Sequence, residues 1–123
     1  MSRVLVVDDA QTVRQYHREI LEGEGFTVDE AVNGVEALEH AADTTYDLLL
    51  VDVNMPRMDG YTCVRQLRET GSDPGVPVIM VTTEGSAKDR EQALTAGANL
   101  HMIKPVQPEA LVFHVRLMSG AQT

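Results

Sequence analysis

Five polar residues stand where short apolar runs stop. Asp8 and Asp9 follow Arg3–Val7, Asp52 follows the LLLV centre of Tyr46–Val53, Thr82 follows Val76–Val81, and Lys104 follows Leu100–Ile103. If these runs are strands of one parallel sheet, their carboxyl ends share an edge, and such sheets bind ligands at that edge. Three carboxylates gathered there repel one another and raise one another's pKa unless a cation joins them. A hard divalent ion such as Mg²⁺, which takes oxygen ligands and keeps several waters, meets that need. Lys104, a compact positive charge, and Thr82, a hydroxyl donor, then suit a phosphate-like group beside the ion. A strand-end turn or a helix cap would account for any one of the aspartates. It accounts poorly for the set.

The elements that must position these residues can be read along the chain. Arg3–Val7 is short and β-branched, and it ends at the aspartate pair. Thr12 is a candidate cap for a helix in which Val13, Tyr16, Ile20 and Leu21 recur near helical spacing, closed by Gly23 and Gly25. Phe26–Ala31 reads as a second strand, and Gly34 opens a helix with Ala37, Leu38 and Ala41 on one side. Tyr46–Val53 is apolar on both faces at its centre, the pattern of a strand buried between two helical layers. Met55–Gly60 is turn chemistry, followed by a helix through Val64 and Leu67; after a polar loop at Gly71–Gly75 comes the strand Val76–Val81. A helix over Ala87–Ala96 stops at Gly97 in a left-handed cap, Leu100–Ile103 is a fifth strand, and Glu109–Met118 is a last amphipathic helix. Alternation of this kind predicts a five-stranded parallel sheet with helices on both faces, joined by right-handed crossovers.

Composition narrows the function. The chain has 123 residues, 43% hydrophobic and 24% charged, which suits one globular domain over 1–123 with a tail free to fray at about 119–123. Ten basic against nineteen acidic residues leave a net charge of −9, so neither nucleic acid nor an anionic membrane is a default partner. The single cysteine, Cys63, cannot form an internal disulfide and suits a reducing compartment. The start MSRVLVVDD meets two aspartates before a secretion-type apolar run can form, and no apolar stretch has the roughly eighteen residues a membrane helix needs. A cytoplasmic protein is expected. No nucleophile elbow, phosphate loop or dinucleotide fingerprint occurs, and His17, His40, His101 and His114 are scattered without zinc spacing.

Four pieces together resemble the receiver domain of two-component response regulators. They are Val6–Val7–Asp8–Asp9, the block from Val51 through Asp52, Asn54 and Pro56 to Gly60, Val81–Thr82–Thr83, and Lys104–Pro105. The resemblance runs from Arg3 to Met118 and implies the (βα)5 flavodoxin-like receiver fold. It implies Asp52 as phosphoacceptor, Asp9 and Asp52 as direct Mg²⁺ ligands, Asp8 acting through water, and the Asn54 carbonyl completing the set. Thr82 and the Thr83 N–H would bind phosphoryl oxygens, with Lys104 pairing to another. The donor would be a phosphohistidine on a sensor histidine kinase, and the chain would catalyse only its own phosphorylation and dephosphorylation. Pro105 would follow a cis bond, and Gly60 would permit the turn leaving the site loop. Asn54 and Glu84 occupy positions that tune phosphoryl lifetime, in a pairing that implies a separate phosphatase. With nothing after the domain, the chain resembles the stand-alone chemotaxis regulators, and a flagellar motor switch protein is the implied target.

Two positions depart from the family pattern. His101 stands where the family carries tyrosine or phenylalanine as the partner of Thr82 in switching, and Thr83 stands where alanine or glycine is usual. Output is expected through Ala87–Ala96, Leu100–Ile103 and Pro108–Met118. There Val112, Phe113 and Val115 read mostly as core, and Lys88, Arg90, His101, His114 and Arg116 as surface. One rival is a phosphorelay intermediate serving a histidine phosphotransfer protein. Another is a Mg²⁺-dependent phosphatase with an aspartate nucleophile, which would need an acid where Asn54 stands. A non-phosphorylated scaffold is the third.

Overall fold

The computed structural model describes residues 2–83 and 85–120. Ten elements alternate: β1 (Arg3–Val7), α1 (Gln11–Gly23), β2 (Thr27–Ala31), α2 (Gly34–Asp43), β3 (Leu48–Asp52), α3 (Gly60–Thr70), β4 (Val78–Thr82), α4 (Ala87–Ala96), β5 (Leu100–Ile103) and α5 (Pro108–Ser119). The five strands form one parallel sheet in the order β2-β1-β3-β4-β5. This is the (βα)5 flavodoxin-like receiver fold. Gly120, in the left-handed region (φ 76°), caps α5, and residues 121–123 lie outside the described residues.

Strand periodicity splits the core in two. On one face Leu5, Val7, Leu49, Val51, Val78 and Met80 pack against Ala37 of α2, Cys63, Val64 and Leu67 of α3, and Ala93 of α4. On the other, Val4, Val6, Leu48, Leu50, Ile79 and Val81 pack against Leu21 of α1 and Leu111 and Val115 of α5. Side chains alternate across the sheet, so a strand covered on both faces must be apolar throughout, as β3 and β4 are apart from their last residues.

Three local expectations are corrected. Thr12 does not cap α1: the N-cap is Ala10, whose carbonyl accepts from Val13 and Arg14, so the helix begins before Thr12. Tyr16 does not belong to the buried face of that helix; it is 40% exposed, and His17 and Leu21 are the buried residues. Phe113 is likewise not core but 62% exposed. Two residues turn a helix through about 200°, so a helix that buries Leu111 and Val115 must turn Phe113 outward. Gly97 does cap α4 in the left-handed region (φ 116°). Among the described residues, no helix is long and apolar enough to cross a membrane.

Candidate functional site

Register brings the polar strand ends together. Val7 pairs with Val51, so Asp8 comes level with Asp52 across the β1–β3 step. Asp52 pairs with Val81 and Thr82 with Ile103, which aligns the ends of β4 and β5 with the end of β3. Asp8, Asp52 and Thr82 are buried, whereas Asp9, Asn54 and Thr83 are exposed around them. One carboxylate oxygen from each of Asp8, Asp9 and Asp52 lies within 4.8 Å of the other two.

Lys104 reaches back over this edge. Its Nζ lies 2.8 Å from Asp8 Oδ2 and 3.1 Å from Asp52 Oδ1. One ammonium faces three carboxylates, and the imbalance appears in the acidities. The Asp52 carboxyl is pushed above the usual range, chiefly by burial and then by the charge of Asp8, with Lys104 opposing. Burial works against the Lys104 ammonium, but its bonds to Asp8 and Asp52 prevail and raise its pKa. Such a site favours added positive charge. A donor set made of carboxylate oxygens, one of them open to water, fits a small hard cation such as Mg²⁺ better than zinc, which prefers nitrogen and sulfur.

The backbone beneath is fixed at each point. The Asp8 carbonyl accepts from Arg14 Nη1 at 2.8 Å, and Asp8 Oδ1 accepts from Ala10 N at 2.9 Å. Lys104 N donates to the Thr82 carbonyl at 2.8 Å, and Val53 N to the Val81 carbonyl at 3.0 Å. Gly60 serves differently from expectation. It is the first residue of α3, and an added Cβ would strike the Asp52 carbonyl and come within 2.8 Å of Met80 Cε. The left-handed residue in the preceding loop is Arg57 (φ 68°), so Gly60 is required for close approach and not for the turn. The Lys104–Pro105 peptide is cis. Glu84 lies outside the described residues.

His101 sits on β5, on the α4 side. Its Nε2 is buried and makes no hydrogen bond among the described residues. Burial holds its imidazole below the ordinary range, with Asp89 opposing and Arg90 assisting. Three neighbours of the site were not anticipated: Arg14, Tyr16 as a hydrogen-bond donor, and His17. For His17 a signal existed. Val13, His17 and Leu21 recur at i, i+4 and i+8, which places the histidine on the inward stripe of α1.

Comparison with known proteins supplies the family. The family model "Response regulator receiver domain" matches residues 4–116. Response regulator MprA of Mycobacterium ulcerans (strain Agy99) is 43% identical over 116 residues, covering 94% of this chain and 49% of that protein. Transcriptional regulatory protein ResD of Bacillus subtilis (strain 168) is 38% identical over 117 residues, covering 95% and 48% respectively. The chain thus spans about half the length of the curated relatives it matches. Among solved structures, Vibrio cholerae chemotaxis protein CheY4 superposes with a TM-score of 0.90 at 34% identity, over 96% of this chain and 98% of that one. The receiver domain of a sensor histidine kinase from Pseudomonas aeruginosa PAO1, solved with magnesium in its active-site cleft, gives 0.89 at 28% identity, over 97% and 98%. The acidic cluster fits the phosphorylation and dephosphorylation of the chain itself, the chemistry of receiver domains. With the strand order, the clustered aspartates and a matching model over nearly its whole length, this chain belongs to the response regulator receiver domain family.

Proposed function

We propose that Asp52 is the phosphoacceptor of a signalling receiver and that Asp8, Asp9, Asp52 and the Asn54 carbonyl hold Mg²⁺. The observation that carries this reading is the Lys104 ammonium 2.8 and 3.1 Å from two buried carboxylates beside a third. When bound, the cation offsets charge on the phosphoryl oxygens. The chain's own residues do the rest. A carboxylate oxygen of Asp52 attacks phosphorus, and the bond from phosphorus to the donor breaks with its electron pair leaving on the donor. Lys104 takes the charge of a second phosphoryl oxygen, and the Thr82 hydroxyl and Thr83 N–H donate to the others. Hydrolysis uses the same fixed donors, with water in line opposite the Asp52 oxygen. The donor is the phosphohistidine of a sensor histidine kinase. Receiver domains of such kinases are themselves among the similar structures, which supports this partner.

Output runs through protein contact at α4, β5 and α5, in the cytoplasm, with residues 1–123 forming one receiver domain. Chemotactic output is supported by the likeness to the chemotaxis protein CheY4; on that reading the target is a flagellar motor switch protein and a separate phosphatase serves the site. The name of ResD favours transcriptional output for a longer relative. A pull-down with phosphorylated and unphosphorylated protein separates these from a relay, which would recover a histidine phosphotransfer protein. The phosphoacceptor itself is tested by intact mass after incubation with acetyl phosphate and Mg²⁺. Asp52→Asn should remain unlabelled and folded; labelling equal to the parent would overturn the assignment.

A further inference from the structure

The Asp8–Lys104 ion pair joins two loops at opposite ends of the chain, and α1 holds the backbone of both. Arg14 Nη1 donates to the Asp8 carbonyl at 2.8 Å while its Nε donates to Glu30 Oε1 of β2 at 2.9 Å. Two residues on, Tyr16 Oη donates to the Val106 carbonyl at 2.9 Å. About 200° round the helix separates the two positions, so the side chains leave α1 on opposite flanks. One flank reaches the β1 loop and the other the β5–α5 loop.

The second loop has a defined root. Lys104 N is bonded to the Thr82 carbonyl at 2.8 Å, and the Gln107 carbonyl accepts from Leu111 N at 2.9 Å as α5 begins. Between these points the Val106 side chain is buried in the α1/α5 core, and its carbonyl is turned out toward Tyr16. Tyr16, His17, Thr83, Lys104, Pro105 and Val106 border one cleft of about 350 Å³, and Lys104 in its wall reaches the Asp8 and Asp52 carboxylates. A lysine ammonium rides on a four-carbon stem, so its position depends on a fixed root as well as on its partners.

We propose that Tyr16 is a positioning residue, which by holding the Val106 carbonyl fixes the β5–α5 loop so that Lys104 stays between Asp8 and Asp52. The inference rests on the reading of Asp52 as phosphoacceptor and adds to it a residue that touches neither the phosphoryl group nor the cation. Loss of the hydroxyl loosens the root of Lys104, and a charge that must be in place during phosphoryl transfer is then in place less often.

The test is the labelling rate with acetyl phosphate at saturating Mg²⁺ for the parent, Tyr16→Phe and Tyr46→Phe. Tyr16→Phe should lower the limiting rate about three- to tenfold, the worth of one net hydrogen bond. The half-saturating acetyl phosphate concentration should not change, and the amides of Val106 and Gln107 should exchange faster. Tyr46→Phe loses a 2.7 Å bond to Asp29, a residue outside the site, and should lose stability while keeping its rate. An unchanged limiting rate or unchanged exchange in Tyr16→Phe overturns the positioning role, as does an equal drop in Tyr46→Phe. A parent that is not labelled at all overturns the phosphoacceptor reading and this role with it. A labelled parent with a fully active Tyr16→Phe removes the positioning role alone.

Discussion

β3 and β5 both flank β4, yet they are held very differently. All five residues of β3 are buried, and none of β5 is. β3 lies between β1 and β4, with α3 pressed so closely on its end that Gly60 admits no side chain. β5 is an edge strand beside α4, whose buried residues are only Ala93 and Ala96, both in its C-terminal half. Asp52 on β3 is tied to Lys104, whereas the buried Nε2 of His101 on β5 makes no hydrogen bond among the described residues. A reacting carboxylate must sit in one place, and tight packing provides that. On the reading proposed above β5 belongs to the output edge, and a looser strand suits an edge that must have a second arrangement close in energy.

The largest expected effect tests the rigid side with acid. His17, buried in α1 behind the site, has its imidazole pushed down from 6.5 to about 4, first by burial, with Asp8 opposing and Lys104 assisting. The unfolded chain takes up a proton below about 6.5 and the native state does not. Stability is therefore kept above that pH and falls as the pH drops toward 4, by on the order of 2–3 kcal/mol from this residue. Urea unfolding at pH 7 and pH 4.5 should show that part of the loss missing in His17→Leu. An identical pH dependence in both proteins would mean that His17 is not held neutral.

Next in size is packing against the end of β3. Gly60→Ala should cost about 1–3 kcal/mol, because the new methyl meets backbone that cannot yield. Gly75→Ala, where an added Cβ meets nothing within 4 Å, should stay within about 0.5 kcal/mol. Comparable denaturation midpoints for the two variants would show that the β3 end is softer than its contacts imply. Smaller still is the cation term. Mg²⁺ at ten times its Kd should stabilise the parent by about 1.4 kcal/mol, and Asp9→Ala should lose most of that while the exposed Glu69→Ala keeps it. Equal thermal shifts with Mg²⁺ in parent and Asp9→Ala would remove Asp9 from the ligand set.

The smallest effect probes the soft edge. His101→Ala should leave Asp52 labelling intact yet reduce the phosphorylation-dependent gain in partner affinity about two- to tenfold, the scale at which single residues modulate coupling. A neutral imidazole can move inward and gain a bond, and burial already favours the neutral form. His114→Ala should do less. Titrating the partner with and without a stable phosphoryl mimic measures both, and an affinity ratio unchanged in His101→Ala would show that coupling bypasses β5.

Much of the site was legible because its signals are local. Asp8, Asp9 and Asp52 end apolar runs, and a run that must be apolar on both faces announces a buried strand whatever its neighbours do. Gly97 announces its cap because few other residues take a positive φ without cost. Helix faces were less legible. Tyr16 and Phe113 are apolar enough to read as core, and their exposure follows from which stripe the sheet selects, a choice made by His17 with Leu21 in α1 and by Leu111 with Val115 in α5.

By itself the sequence determined the order of strands and helices, the acids at the strand ends, and Lys104 and Thr82 as their polar company. Each of these depends on residues within a few positions of one another. Tertiary structure alone decided the order β2-β1-β3-β4-β5, the register that makes Asp8 level with Asp52, and the bridging of both by Lys104. It also decided that α1 would grip two loops at once through Arg14 and Tyr16. Those contacts join residues as far as 96 positions apart in the chain. Local chemistry can specify that a hydroxyl or an ammonium will be present, but only the packed sheet specifies which distant carbonyl or carboxylate it meets.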